Sequence, residues 1–177
     1  MIVGFTGLAA SGKSTAADYL VRCHGFVRVK FADPLKSMLR HIGLSDAEIE
    51  GHLKEQPSAL LMGRTPRWAM QALGHEWGRV CIHPDFWVGL WQRTACDVLD
   101  QGGNVVVDDC RYENELKILE SMSAKVCRIT RPGAGTGSSH VSEKGNLPVS
   151  YEIDNSSSLP ILYRHLDALV TIAEVAA

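Results

Sequence analysis

Apolar residues run from Ile2 to Thr6 and stop at a glycine-rich turn, after which Ala16, Ala17, Leu20 and Val21 recur at helical spacing through Lys13 to Cys23. The pattern predicts strand, loop, helix. A second short strand is expected over Val27 to Phe31, followed by Asp33-Pro34, where Asp suits a helix cap and Pro the first helical turn. Leu35, Met38, Leu39 and Ile42 give that helix an apolar face, and Gly43 is placed to stop it. From 45 to 100 the pattern is helical throughout: a short piece from Ser45 to Leu53, a segment opened by Thr65-Pro66 that reaches Val80, and one after Pro84 that runs to Leu99. Val105 to Val107, between Gly102-Gly103 and Asp108-Asp109, reads as a strand buried on both faces. A helix from near Tyr112, a strand over Lys125 to Thr130, a short strand near Tyr151 to Ile153 and a helix from about Leu159 complete an alternation that predicts a parallel sheet. Trp68, Trp77, Trp87 and Trp91 sit at helical spacing and read mostly as core, with Trp87 and Trp91 the weak candidates for stacking on a base.

The 177 residues suit one domain with a small insertion, since a typical domain takes roughly 100 to 200 residues. With 45% hydrophobic and 21% charged residues the chain is able to bury a core, which excludes general disorder and fibrous repeats. A formal charge of -2 lacks the basic field of a protein held to DNA mainly through phosphates. Five cysteines without a C-x-x-C pair argue against a disulfide framework and a four-cysteine zinc site, and suit a reducing cytoplasm. No basic leader and no long apolar run predicts neither secretion nor membrane insertion. Residues 132 to 148, rich in Gly, Ser and Pro, are too long for an ordinary connection and are expected to form a mobile functional loop or to be disordered.

Gly7-Leu8-Ala9-Ala10-Ser11-Gly12-Lys13-Ser14 fits G-x-x-x-x-G-K-[ST] in full, between a strand and a helix, which is the context of a phosphate-binding loop. Glycines let consecutive backbone N–H groups turn toward one anion, and the helix N-terminus adds positive potential. Gly7, Ala10, Ser11, Gly12 and Lys13 are therefore candidate nucleotide-binding residues, with Lys13 at the β/γ-phosphates, Ser14 offering its hydroxyl to Mg2+ and Thr15 near the α-phosphate. A merely structural turn would leave a buried lysine as an unexplained cost. A dinucleotide site is excluded because G-x-G-x-x-G is absent. Asp108 and Asp109 end the third strand, where a nucleoside triphosphatase holds the water shell of its metal, and both are candidates for that part; capping the next helix is the structural alternative. Arg111, just beyond, is then beside the phosphates.

Several further motifs resemble those of one family. These are Phe31-Ala32-Asp33-Pro34-Leu35-Lys36, Thr65-Pro66-Arg67, Leu73-Gly74, Trp77-Gly78-Arg79, Asp109-Cys110-Arg111, Asn114-Glu115, His140-Val141-Ser142-Glu143 and Ile153-Asp154-Asn155. In that order, with the phosphate loop, they resemble the bacteriophage deoxynucleoside monophosphate kinases, a branch of the P-loop kinases, over almost the whole chain. The resemblance implies a three-layer P-loop α/β fold with a mostly parallel five-stranded sheet, an acceptor-covering helical insertion at 33–100 and a lid at 131–147. It also implies ATP and Mg2+ as cofactors, Asn155 on the nucleotide side and, for a phage-encoded chain, the host cytoplasm. One departure is Ser156-Ser157-Ser158 after Asn155, where the family carries a glycine.

Phosphoryl transfer crowds negative charge into one cleft, so arginines are weighed as catalytic and substrate-binding groups. Arg67 lies in the first turn after Thr65-Pro66 and is a candidate for the acceptor phosphate; Arg64 is as readily a surface residue. Gln71 and His75 follow Arg67 at intervals of four to make a polar ridge opposite Leu73, Trp77 and Val80, with Gln71 able to read a base edge and Arg79 about 120 degrees round by the 3.6 period. Arg131 is placed to swing over the transferring group; Arg128, inside a strand, is as readily a structural ion pair. Asp33 is either a helix cap or a residue that binds the acceptor sugar or acts as a catalytic base. His140, Ser142 and Glu143 read as lid ties more than as a metal site. The expected reaction is phosphorylation of a deoxynucleoside monophosphate; the alternatives are a hydroxyl acceptor, such as a hydroxymethylated base in DNA or a small metabolite, and a nucleotide-dependent switch. DNA is a partner only under the second of these, no membrane is expected, and a homodimer is compatible with the sequence.

Overall fold

The computed structural model describes residues 1–135 and 147–175. Five strands, β1 (Ile2–Thr6), β2 (Phe26–Arg28), β3 (Asn104–Val107), β4 (Lys125–Thr130) and β5 (Tyr151–Asp154), form one sheet in the order β2-β3-β1-β4-β5. Every pairing is parallel, so all strands deliver their carboxyl ends to one edge, the edge where open α/β sheets bind ligands. The helices are α1 (Lys13–His24), α2 (Asp33–His41), α3 (Asp46–Ile49), α4 (Pro66–Gln71), α5 (Phe86–Asp100), α6 (Glu113–Ser121) and α7 (Leu159–Val175), with a π-helical stretch, Ala72–Ile82, continuing α4. The expected α/β architecture with a five-stranded parallel sheet is the one found.

The chain forms two compact units, Met1–Lys30 with Gln92–Ala177, and Phe31–Trp91. In the first, β1 is buried at all five positions, and the pleat sorts its residues between two helical layers. Val3 and Phe5 share a core with Val106, Cys127 and Ile129 of the neighbouring strands, Ala16, Ala17 and Leu20 of α1, and Leu162 and Leu166 of α7. Gly4 faces the other way, where a Cβ would lie 3.1 Å from Leu119 of α6 and 3.3 Å from Val126. Each large apolar side chain buried in this way contributes roughly 1.5–3 kcal/mol. The helices α1 and α7 are also joined by polar contacts: the Tyr19 hydroxyl donates to Asp167 Oδ1 at 2.8 Å, His24 Nε2 meets the same oxygen at 2.8 Å, and Tyr19 stacks on Tyr163 with ring centroids 4.1 Å apart. The bond to Asp167 pushes the Tyr19 phenol up to about 12 and holds the Asp167 carboxyl below its ordinary range.

The second unit has a core of Leu35, Leu39, Leu44, Ile49, Ala69 and Trp87. Ser45 and Glu48 cap α3 reciprocally, and Thr65 Oγ1 accepts from the Trp68 amide at 3.1 Å to open α4 before Pro66, as the Thr-Pro pair predicts. Three expectations need correction here. Ala32, not Asp33, occupies the cap position of α2, and Asp33 is its first helical residue. Trp87 and Trp91, the stacking candidates, are 2% and 1% exposed: the Trp87 indole donates to the Gly74 carbonyl at 2.7 Å, and Trp91 packs on Phe31. The segment from Thr65 is helical as read, but its second part winds as a π-helix, which carries the faces off the 3.6 period. As a result Arg79 is buried, while Trp77 and Val80, expected on the apolar side, are exposed.

Candidate active site

The loop Gly7–Ser14 leaves the carboxyl end of β1 and turns directly into α1. Gly7 (φ 131°) and Gly12 (φ 110°) hold conformations that L side chains rarely adopt. Each is also sterically committed: a Cβ on Gly7 would fall 2.4 Å from the Ile129 carbonyl oxygen, and one on Gly12 would fall 2.3 Å from Asn155 Nδ2. Ala10 adopts φ 62° despite its side chain. Lys13, 9% exposed, donates from Nζ to the carbonyls of Gly7 (2.8 Å) and Leu8 (2.6 Å), so its ammonium is folded back onto the loop.

Asn155, at the carboxyl end of β5, braces this loop. Its side-chain amide donates to the Ser11 carbonyl at 2.8 Å and its backbone N–H to the Thr130 carbonyl at 2.8 Å, which ties the end of β5 to β4 and to the loop. Gly135 N–H donates to the Ala9 carbonyl at 2.9 Å, so the start of the segment after β4 also meets the loop. Arg131 is exposed directly beyond β4. His140, Ser142, Glu143 and most of the expected lid lie outside the described residues. Arg128 is a structural ion pair: it reaches Glu152 Oε1 at 2.6 Å, opposite it in the β4–β5 register, and donates to the Leu147 carbonyl.

Ser14 and Thr15 stand in the first turn of α1, with Ser14 exposed and Thr15 half-buried. Asp108, just past β3, is 4% exposed, and neither carboxylate oxygen accepts a hydrogen bond. Its charge is met by Lys30 Nζ at 3.7 Å and Arg28 Nη1 at 3.9 Å. Asp109 is half-buried. Tyr112 occupies the cap position of α6, and the buried Glu115 carboxylate accepts from the amides of Arg111 (2.6 Å) and Tyr112 (3.0 Å) and thereby fixes the backbone that carries Arg111. Between them Cys110 is buried, and desolvation, with Glu115 and Asp109 nearby, pushes its thiol far up, out of reach of nucleophilic chemistry. Sequence reasoning assigned no part to Arg28, Lys30 and Glu115. The signal for the first two is their period-2 spacing at the end of β2, and that for Glu115 its place in the first turn of α6.

Four predicted residues belong to the second unit. Arg67 is ion-paired with Glu55, and its backbone N–H donates to the Lys54 carbonyl at 3.0 Å. Gln71 is the half-buried last residue of α4. Arg79 donates to the Pro84 carbonyl at 3.1 Å, and Asp33 is half-buried in the first turn of α2. Arg64 lies over the Trp68 ring, 4.8 Å from its centroid, as a surface cation–π contact. Among the described residues no group of three or more His, Cys, Asp or Glu converges in a way that would hold a metal by protein ligands alone.

The sequence model of the deoxynucleotide monophosphate kinase family matches residues 63–166, more than half of the chain. A protein of Acanthamoeba polyphaga mimivirus, provisionally named a deoxynucleotide monophosphate kinase, is 32% identical over 156 residues, covering 81% of this chain and 80% of that one. The chain belongs to the deoxynucleotide monophosphate kinase family. It is therefore a phosphotransferase. The deoxynucleotide monophosphate kinase of Enterobacteria phage T4 is 22% identical over 230 residues, covering 92% of this chain and 95% of that one. Among solved structures, TT1252 from Thermus thermophilus superposes with a TM-score of 0.55 at 21% identity, covering 97% and 96% of the two chains, and shares the fold. A provisionally assigned kinase from Chloroflexus aurantiacus does so with a TM-score of 0.55 at 14% identity, covering 99% and 97%. The loop Gly7–Ser14 lies outside residues 63–166, so it is independent of the family-model match. No helix among the described residues is long and apolar enough to cross a membrane.

Proposed function

We propose that the chain transfers the γ-phosphoryl group of ATP, with Mg2+, to a deoxynucleoside monophosphate, releasing ADP and the deoxynucleoside diphosphate. The observation that carries this reading is the phosphate loop: two glycines in left-handed backbone, a buried lysine whose ammonium is held on the loop, and an asparagine bracing it from behind. Such a loop presents a row of N–H groups and a helix N-terminus to the anion, and binding exchanges the two carbonyl partners of Lys13 for phosphate oxygens. The acceptor's phosphate has a second pKa of about 6 and is ionised at neutral pH, so positioning and positive charge suffice and no general base is needed.

The donor set fits magnesium. Ser14 offers an exposed hydroxyl in the first turn of α1, and Asp108 offers a buried carboxylate whose oxygens no hydrogen bond uses. Ser14 would hold the ion and Asp108 its water shell, in preference to Asp109. Bound there, the ion neutralises charge on the transferring phosphates. Arg111, on the backbone fixed by Glu115, and Arg131, beyond β4, supply further positive charge, while Asp33, Arg67, Gln71 and Arg79 serve the acceptor. To do so Arg67 must trade its pairing with Glu55 for a phosphate, which an exposed ion pair allows at small cost.

The test is ADP release from ATP and Mg2+ with and without each deoxynucleoside monophosphate, for the wild type and Lys13→Ala. Release that depends on the monophosphate and falls roughly a hundredfold or more in the variant is expected. Wild-type turnover by Lys13→Ala would overturn the assignment.

A further inference from the structure

We propose that Arg28 is a positioning residue for the magnesium-holding pair, fastening the first turn of α1 at Ser14 to the carboxylate of Asp108. The proposal rests on the placement of Mg2+ at Ser14 and Asp108 given above, and it adds a residue that touches neither nucleotide nor metal.

The guanidinium makes three connections at once. Nη2 donates to the Asp18 carboxylate at 2.6 Å and to the Ser14 carbonyl at 3.2 Å, both on α1, while Nη1 lies 3.9 Å from Asp108 Oδ2 at the end of β3. Arg28 is the last residue of β2, which pairs with β3 in parallel with Arg28 opposite Val106, two residues before Asp108. The planar fork of an arginine spans such divergent partners; the point charge of a lysine does not.

The electrostatics of Asp108 give the second argument. Its side chain is 2% exposed, and the cost of burying a carboxylate so completely is offset by the cations that face it. Arg28 and Lys30 do so at 3.9 and 3.7 Å, close enough to stabilise the charge and too far to count as hydrogen bonds. The pair thus offsets that cost while leaving the carboxylate's lone pairs to other donors, which is what holding a hydrated cation requires. Arg28 also holds the turn that carries Ser14, through its bond to the Ser14 carbonyl. Its position is set from outside by Asp18, whose side chain is 57% exposed on the surface of α1.

The experiment is calorimetric titration of a non-hydrolysable ATP analogue into the full chain, in EDTA and in Mg2+, for the wild type, Arg28→Lys and Asp18→Asn. The wild type gains affinity on adding Mg2+. In Arg28→Lys the affinity in EDTA stays within about twofold of wild type while the gain from Mg2+ falls about tenfold, the worth of one charged hydrogen bond. Asp18→Asn, on an exposed residue, shifts the gain in the same direction by less and decides the matter if Arg28→Lys does not fold. Equal losses with and without Mg2+ would make Arg28 a support of the whole loop, and an unchanged gain in both variants would remove its role; either overturns the proposal alone. No gain in the wild type would instead overturn the placement of Mg2+ on which it rests.

Discussion

At the level of single residues, the phosphate loop is held by contacts that its own motif does not contain. Asn155 stands 144 positions from Ser11, yet its amide is buried and bonded to the Ser11 carbonyl, and Gly12 is close against it. Asn155→Ala leaves that carbonyl without its donor, a loss of about 1–3 kcal/mol for a buried group. The loop should loosen rather than unfold the protein: the KM for ATP rises about tenfold, in line with that energy, while the KM for the acceptor is unchanged. Steady-state kinetics on the variant check this, and equal changes in both constants would show that Asn155 acts on the fold at large. The sequence placed Asn155 on the nucleotide side through resemblance alone; no periodicity or spacing pairs residue 155 with residue 11.

At the level of elements, most strands and helices were legible because their apolar periods are clean, but the strand read over Val27 to Phe31 is Phe26–Arg28 and the helix read over Ser45 to Leu53 is Asp46–Ile49. Lys125–Thr130 is found with the boundaries read for it, and the helix expected from about Leu159 begins there. The π-helical stretch Ala72–Ile82 was not legible as such. A periodicity argument assumes 3.6 residues per turn, and a wider winding moves each later side chain off the expected face, which buries Arg79 and exposes Val80. The winding is accompanied by close packing of Trp87: its indole bonds to Gly74, and a Cβ on Gly78 would come within 2.2 Å of Nε1. Gly78→Ala must therefore displace the indole, at a cost of about 1–3 kcal/mol for overpacking. A lower midpoint in thermal unfolding together with a shift in tryptophan emission is the expected result, and an unchanged midpoint would show that the stretch tolerates ordinary α-helical packing.

At the level of the whole molecule, alternation of strand and helix predicted a parallel sheet, but the order β2-β3-β1-β4-β5 depends on pairings that no local pattern encodes. For the same reason the sequence showed Asp108 and missed Arg28 and Lys30, which reach it only because β2 lies beside β3. The Gly7–Ser14 loop stood out as a motif because its residues are consecutive: eight of them supply the glycines, the lysine and the hydroxyl on which the proposed phosphate site rests. The proposed acceptor side draws on side chains from several elements of Phe31–Trp91, and there the sequence offered candidates rather than a site. The most direct test of the central claim is to supply ATP and Mg2+ with each deoxynucleoside monophosphate in turn, and separately with single-stranded and duplex DNA bearing hydroxymethylated bases, and to identify the products by mass. Deoxynucleoside diphosphates from one or more of the monophosphates, with the DNA unmodified, are the expected products. Phosphorylated DNA with every monophosphate inert would contradict it.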